Sequence, residues 1–437
     1  MSIDPRKVIN LEPMSNFQIV AIVICILLNA LDGFDVLAVT FAAPGIAERW
    51  GLGPETIGAI ISSGLVGMAV GSIFLAPIAD VYGRRLVILA CLLVMGFGML
   101  GSAIAADFGT LILYRFFTGL GIGTMLASIN AMVSEYSNDK RRDLCVSLMT
   151  VGYPIGGVIG GTAAAILLGK FGWESVFLFG GIVTLAVFPL VLFVLPESIE
   201  FLSLSKGNKA LGKINKILKR MGHKEASFVA IPETPQVGMK IKDLFSSGMT
   251  RHTVILTGSY FLHIMTFYYV MGWVPSIVTE LGFDRAVGTS VSVWISIGGI
   301  VGGSLFGWAV TFVSLQKLAI ALMLTTGLLV ILFGQVTPDI DKLKIVAFLL
   351  GFCMFSGVVG LYALIVRAFP TRLRATGTGF VIGVGRAGAA IGPLITGFLF
   401  SVGFERGSVA LVMAVGSISA ALVLIIGRLK KNNSKNI

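Results

Sequence analysis

Two carboxylates sit where carboxylates are costly. Asp32 and Asp35, in the stretch Leu31-Asp32-Gly33-Phe34-Asp35, fall late in an apolar run from Phe17 to Pro44. A helix of about 20 apolar residues crosses a bilayer, so both acids lie near mid-membrane. Each costs roughly 2.5–3.5 kcal/mol to insert if charged and unpaired. Their i, i+3 spacing puts them on one helix face. Groups held at that cost mark a proton or substrate site. Two cations are stranded in the same way. Arg115 lies about two turns inside the outer end of its run, at a depth similar to that of Asp35. A buried pair would offset both desolvation costs. It could be structural, or Arg115 could set the proton affinity of Asp35 or Asp32. Arg386 lies near the middle of a later run, and apart from Glu405 at the very edge of the last one the C-terminal runs hold no acid to neutralise it. A permanently charged guanidinium needs an anion. Either Asp32 or Asp35 reaches across to it, or a substrate carboxylate is gripped bidentately, which is the favoured reading.

Aromatic residues complete the candidate set. One run carries Tyr260, Phe261, His263, Phe267, Tyr268, Tyr269 and Trp273. Tyr260, His263 and Phe267 share a face by i, i+3, i+7 spacing, and histidine titrates near neutral pH. This face is expected either to line a substrate cavity or to pack as core. Tyr153, in Gly152-Tyr153-Pro154, is a second cavity candidate. The glycines that follow it (Gly156, Gly157, Gly160, Gly161) are expected to let helices touch. No nucleophile–base set, phosphate loop or metal cluster is legible, so neither an enzyme nor a cofactor is expected. Cys25, Cys91, Cys145 and Cys353 form no CxxC and no Cys/His group, which indicates small core residues.

Composition shows what must position these groups. Of 437 residues, 56% are hydrophobic and 13% charged, with 55 glycines. A soluble domain has about 25% charged residues, so the class is an all-α, polytopic membrane protein. Apolar runs give twelve spans near 17–43, 55–78, 86–106, 109–133, 145–168, 173–195, 252–278, 288–311, 317–336, 343–366, 374–400 and 404–427. The first run is too long for a signal-peptide core and is expected to be retained. With both termini cytoplasmic, most of the 33 Lys and Arg fall on the inner side, as the positive-inside rule requires. The net charge of +11 is thereby read as a topology signal and not as nucleic-acid binding. The segment 196–250 is the one long polar stretch. Its lysines recur with Leu211, Ile214, Ile217 and Leu218 between them, the pattern of an amphipathic helix lying in the membrane interface.

The chain also repeats itself. Shifted by 232 residues, Gly71-Ser72-Ile73-Phe74 meets Gly303-Ser304-Leu305-Phe306, and Arg142, Gly156 and Gly160 meet Arg374, Gly388 and Gly392. Two pseudo-symmetric six-helix bundles follow, residues 1–195 and 251–437, joined by the cytoplasmic linker 196–250. The architecture is that of a parallel-repeat transporter with its site between the halves. The buried charges break the repeat: Asp32, Asp35 and Arg115 meet Ile264, Phe267 and Ala347. Fold symmetry therefore does not account for them.

Several motifs resemble the major facilitator superfamily. Ala76 to Arg85 is similar to its G-x-x-x-D-R-x-G-R-R loop, with Ala76 and Val81 departing and Asp80, Gly83, Arg84 and Arg85 kept. The resemblance implies a latch between the halves on the cytoplasmic side. Asp80 would cap a helix N-terminus and Arg84 would pair with Glu135 or Asp139. Arg115 to Gly121 resembles the R-x-x-x-G-x-G motif of the fourth span. Asp32-Gly33-Phe34-Asp35 resembles the D-G-[FY]-D signature of the aromatic acid:proton symporters, a group fitted also by Arg386 in its G-R-x-G setting and by Glu135 followed by Arg141-Arg142. That resemblance implies a proton-coupled importer of an organic, aromatic carboxylate, a monomer in a bacterial inner membrane. Asp32, Asp35 and Arg386 would be the working groups, with Glu135 and Arg142 at the gating loop. A drug/proton antiporter, or a symporter of muconate or a sugar acid, is the alternative.

Overall fold

A computed structural model describes residues 5–204, 208–226, 241–246, 249–370 and 373–427. Twelve of its helices are long and apolar enough to cross a membrane. They are α1 (Asn16–Trp50), α2 (Pro54–Val70), α3 (Arg84–Ala103), α4 (Phe108–Tyr136), α5 (Arg142–Phe171) and α6 (Glu174–Val194), then α7 (Thr250–Glu280), α8 (Arg285–Ala309), α9 (Leu315–Gln335), α10 (Ile340–Ala368), α11 (Arg374–Ser401) and α12 (Arg406–Gly427). Local chemistry sets several boundaries. Ser15 and Gln18 form a capping box at the start of α1, and Asp107 and Thr110 form one at the start of α4, which satisfies free amides there. Asp339 accepts from the amides of Asp341 and Lys342 at the start of α10. The first helix runs past Pro44, where the apolar run stopped, to a left-handed Gly51 with φ of 61°. The second ends in a π-helical turn, Gly71–Leu75.

The packing repeats with the chain. In the first half α1 lies on α5, α2 on α4 and α3 on α6; in the second α7 lies on α11, α8 on α10 and α9 on α12. Each pair maps onto its counterpart six helices later, as the repeat predicts. The halves meet along α2 with α11 and along α5 with α8, while α1 meets α7. Glycine makes these approaches possible. A side chain at Gly156 would run into the carbonyl of Ala30, and one at Gly33 into the carbonyl of Tyr153. The glycines of α5 thus serve two faces. Gly152, Gly156 and Gly160 lie on α1, while Gly157 and Gly161 lie against Ser296 and Val293 across the interface.

The close contacts between halves run from the midplane to the face opposite the linker. There Gly58 faces the Pro393 carbonyl and Gly397 the Pro54 carbonyl. Ser62 donates to the Ala390 carbonyl at 2.7 Å. An ion pair joins Glu48, near the end of α1, to Arg285 at the start of α8. This arrangement closes the face that carries residues 51–53.

One expectation is overturned. The helix Asn208–Met221 does not lay its apolar face in lipid. Ala210, Ile214, Leu218 and Met221 are buried in the core of the first half. His223, just beyond, reaches Glu12 at 2.7 Å and Gln18 at 3.1 Å. An amphipathic pattern demands an apolar partner but does not say which. Here the linker-side end of α1 supplies it, and Lys213, Lys216, Lys219 and Arg220 face outward. Residues 227–240 of the linker lie outside the described residues.

A Cβ at Gly156 has no room, whereas Gly169 on the same helix faces open space. Overpacking a tight contact costs about 1–3 kcal/mol. Gly156→Val should lower the melting temperature of the purified protein in detergent, and Gly169→Val should leave it in place.

Candidate functional site

The site is built from α1 outward. Asp32 is 1% exposed, and neither carboxylate oxygen has a hydrogen-bond partner. It lies within electrostatic reach of Asp35 and of Arg386. Gly33 sits flush on the Tyr153 backbone, so the sequence Asp-Gly-Phe-Asp both presents an acid and brings α5 against it. Asp35 accepts from Thr184 of α6 at 3.4 Å through one oxygen, and its other oxygen is unpartnered. Gly180 leaves room beside it, since a Cβ there would lie 3.3 Å from that oxygen.

The expected Arg115–Asp35 ion pair takes a different form. Arg115 is fully buried and donates to the main-chain carbonyl of Asp35 at 2.6 Å and toward the Met99 sulfur at 3.1 Å. Its guanidinium carbon stands 5.5 Å from the centre of the Phe177 ring. The carboxylate of Asp35 is not within 4 Å of it among the described residues. A carbonyl oxygen keeps a second lone pair beyond its helical bond, and the rigid guanidinium fork finds that one. The charges still interact through the low-dielectric interior.

Arg386 crosses the interface. Its guanidinium donates to the Met68 carbonyl on α2 at 3.3 Å and stands within electrostatic reach of Asp32, Tyr260 and Tyr268. Tyr260 and Tyr362 share a hydrogen bond at 3.1 Å, their ring centres 5.7 Å apart, and Gly385 makes space for the Tyr260 ring. Tyr153 is close to Asp32, Tyr268 and Tyr362, yet its hydroxyl has no hydrogen-bond partner. Arg386, Tyr153, Tyr268 and Tyr362 each keep some accessible surface. One acid, one guanidinium and four phenols from α1, α5, α7, α10 and α11 therefore converge between the halves.

Tyr362 is absent from the sequence-based candidates, and Tyr268 is named there only as part of the aromatic run. Tyr268 is one position from Phe267 and so projects about 100° around the helix from the chosen face. The clue to Tyr362 was a phenol in an otherwise oily span. Phe267 packs behind Tyr268, at 5.2 Å, and against Phe355, at 4.9 Å. His263 is corrected outright. It is fully buried, with one ring nitrogen 2.9 Å from the Ser417 hydroxyl and the other 3.2 Å from the Met354 carbonyl. Both nitrogens are occupied by α12 and α10, so it fastens helices of the second half and does not line the cavity.

The linker-side loop forms a separate cluster. Arg84 bonds Glu135 at 2.7 Å and Asp80 at 3.2 Å. Arg85 donates to the Leu192 carbonyl, and Ser198 donates to Glu135. Asp80 does not cap a helix. The amides of Arg84 and Arg85 at the start of α3 are taken by Glu197, at 2.9 and 3.1 Å, a residue the sequence reading passed over. Gly83 is required beside it: its φ is 98°, and a Cβ would strike the Glu197 carboxylate. Asp139 pairs with Arg142 at 2.9 Å, and Arg142 also donates to Ser134 and Asn10. Among the described residues these bonds all lie within the first half and the first residues of the linker. The loop fastens α2, α3, α4 and α6 together and does not bridge to the second half, because the halves meet on the opposite face.

A model of the Major Facilitator Superfamily matches residues 25–308 and 256–437. The 4-hydroxybenzoate transporter PcaK of Pseudomonas aeruginosa is 30% identical over 97% of this chain and 95% of its own. The gallate transporter of Pseudomonas putida is 30% identical over 97% and 94%. The fold is shared with a D-xylose–proton symporter, at 15% identity and a TM-score of 0.74, over 97% of this chain and 100% of that one.

Two outcomes follow from this geometry. His263→Gln should leave the pH profile of transport unchanged, measured as uptake across a pH series. Glu197→Ala strips an acceptor from two helix-end amides, a loss of about 1–3 kcal/mol. Its melting temperature should fall, and Glu197→Gln should recover most of it.

Proposed function

The chain belongs to the major facilitator superfamily and is a multi-pass membrane transporter, and we propose that it imports an aromatic carboxylate together with a proton across a bacterial inner membrane, its termini in the cytoplasm. It is not an enzyme. The relatives named for aromatic acids support the substrate class. The observation that carries the coupling is Asp32, buried without a hydrogen-bond partner and within reach of Arg386.

Charge balance gives the mechanism. Arg386 is one cation on a flexible stem facing two anions, Asp32 and the substrate carboxylate. An ionised group left unpaired in low dielectric costs several kcal/mol. In the empty site Asp32 and Arg386 compensate each other. When the substrate takes the guanidinium, Asp32 is left uncompensated unless it holds a proton. The site is therefore neutral with one proton and one substrate aboard, or with neither. Those two states can be carried through a closed, dry intermediate; the half-loaded states strand a charge. Arg115 supports the neighbouring acid, Asp35, by holding its main chain and its field in place. The linker-side bonds of Arg84 and Glu135 then hold the first half as one body while it rocks.

Each residue change has a distinct outcome. Asp32→Asn, locked in the shape of the protonated acid, should abolish accumulation driven by an inward proton gradient but retain exchange of labelled for unlabelled 4-hydroxybenzoate in proteoliposomes. Arg386→Ala loses a charge-assisted bond of about 1.5–3 kcal/mol and should weaken uptake about 10–100-fold in both assays. Full gradient-driven accumulation by Asp32→Asn would refute the coupling.

A further inference from the structure

Burying a phenol hydroxyl without a partner costs about 1–3 kcal/mol, and Tyr153 does so at the centre of the candidate site. Its position is enforced from behind. The Tyr153 backbone abuts Gly33; its hydroxyl is drawn toward Tyr268 and lies near Asp32, yet it forms no hydrogen bond of regular geometry. The other phenols of the cluster are differently placed. Tyr260 and Tyr362 satisfy each other, on the wall of the second half that also holds Arg386. Tyr153 belongs to α5 and so stands on the wall of the first half. Arg386 belongs to α11 and Tyr153 to α5, so the guanidinium and the unsatisfied phenol come from opposite halves, with Tyr268 near both.

We propose that Tyr153 is the selectivity residue of this site, reading a phenolic hydroxyl on the ring edge remote from the substrate carboxylate. The inference rests on the carboxylate reading given above. Tyr153 would exchange a hydrogen bond with that hydroxyl, which can both donate and accept. A substrate lacking it leaves the Tyr153 hydroxyl buried and unpaired in the complex as well. A site built to hydrogen-bond a substrate group discriminates strongly against the analogue without it. The protonated Asp32 beside it offers the same ring edge a second polar neighbour, so proton loading and ring recognition share one wall.

The test compares 4-hydroxybenzoate, 4-methoxybenzoate and benzoate on the full-length protein in proteoliposomes. The unaltered protein should prefer 4-hydroxybenzoate to both others. Tyr153→Phe keeps the ring and removes only the hydroxyl. It should raise the KM for 4-hydroxybenzoate about tenfold, the scale of one lost hydrogen bond, and leave that for benzoate within about twofold, so that the preference collapses. A merely structural role for Tyr153 would move both substrates together, and that result overturns the inference. Ligand-induced thermal shifts of the unaltered protein give an independent reading. Equal stabilisation by benzoate and 4-hydroxybenzoate also overturns it, while leaving the carboxylate reading intact. Transport of none of the three acids overturns both.

Discussion

On the proposed reading a single guanidinium must serve two anions in the middle of an apolar bundle, and that shortage governs the site. Arg386 is within reach of Asp32, and among the described residues its one hydrogen bond is to a carbonyl of α2 at 3.3 Å. It is therefore held loosely enough to change partner. Asp32 has no neutral donors to fall back on. By contrast Arg115 is committed: carbonyl, sulfur and aromatic ring surround it. The two arginines divide the labour. One supports the structure of the first half, and the other, on the proposed reading, answers to the substrate.

On the proposed reading, charge balance becomes movement at the interface between the halves. Gly58, Gly157, Gly161 and Gly397 let the halves approach closely there, beside apolar side chains of both halves, such as Ile57, Ile61 and Trp273, that pack into one core. Within the first half polar bonds do the fastening. Glu197, Glu135, Arg84, Arg85 and Arg142 tie four helices and the N-terminal segment into a unit at the linker side. The linker helix adds its apolar face to the same unit. A first half braced as one unit suits the rocking motion proposed above.

Much of this was legible in residue order. Apolar runs gave twelve helices, and an offset repeat gave their pairing, because hydrophobic length and period are properties of the chain itself. The depth of Asp32, Asp35, Arg115 and Arg386 followed from counting along each run. What escaped was contact geometry. Spacing places Arg115 level with Asp35 but does not say whether carboxylate or carbonyl meets it. A rotation of one residue separates Phe267 from Tyr268, so of the expected face Tyr260 joins the cluster while Phe267 packs behind it. His263 looked functional because histidine titrates, whereas Ser417 and Met354, more than ninety residues away, occupy both nitrogens. Glu197 caps α3 from over a hundred residues downstream, which no local capping rule detects.

The competition between two anions for one cation can be measured without moving any substrate. Calorimetric titration of the purified protein with 4-hydroxybenzoate, repeated in buffers of different ionisation enthalpy, reports the protons taken up on binding. The account predicts uptake of about one proton per substrate bound at a pH where Asp32 starts ionised, and loss of that uptake in Asp32→Asn. Binding with no proton uptake across the whole accessible pH range would contradict it.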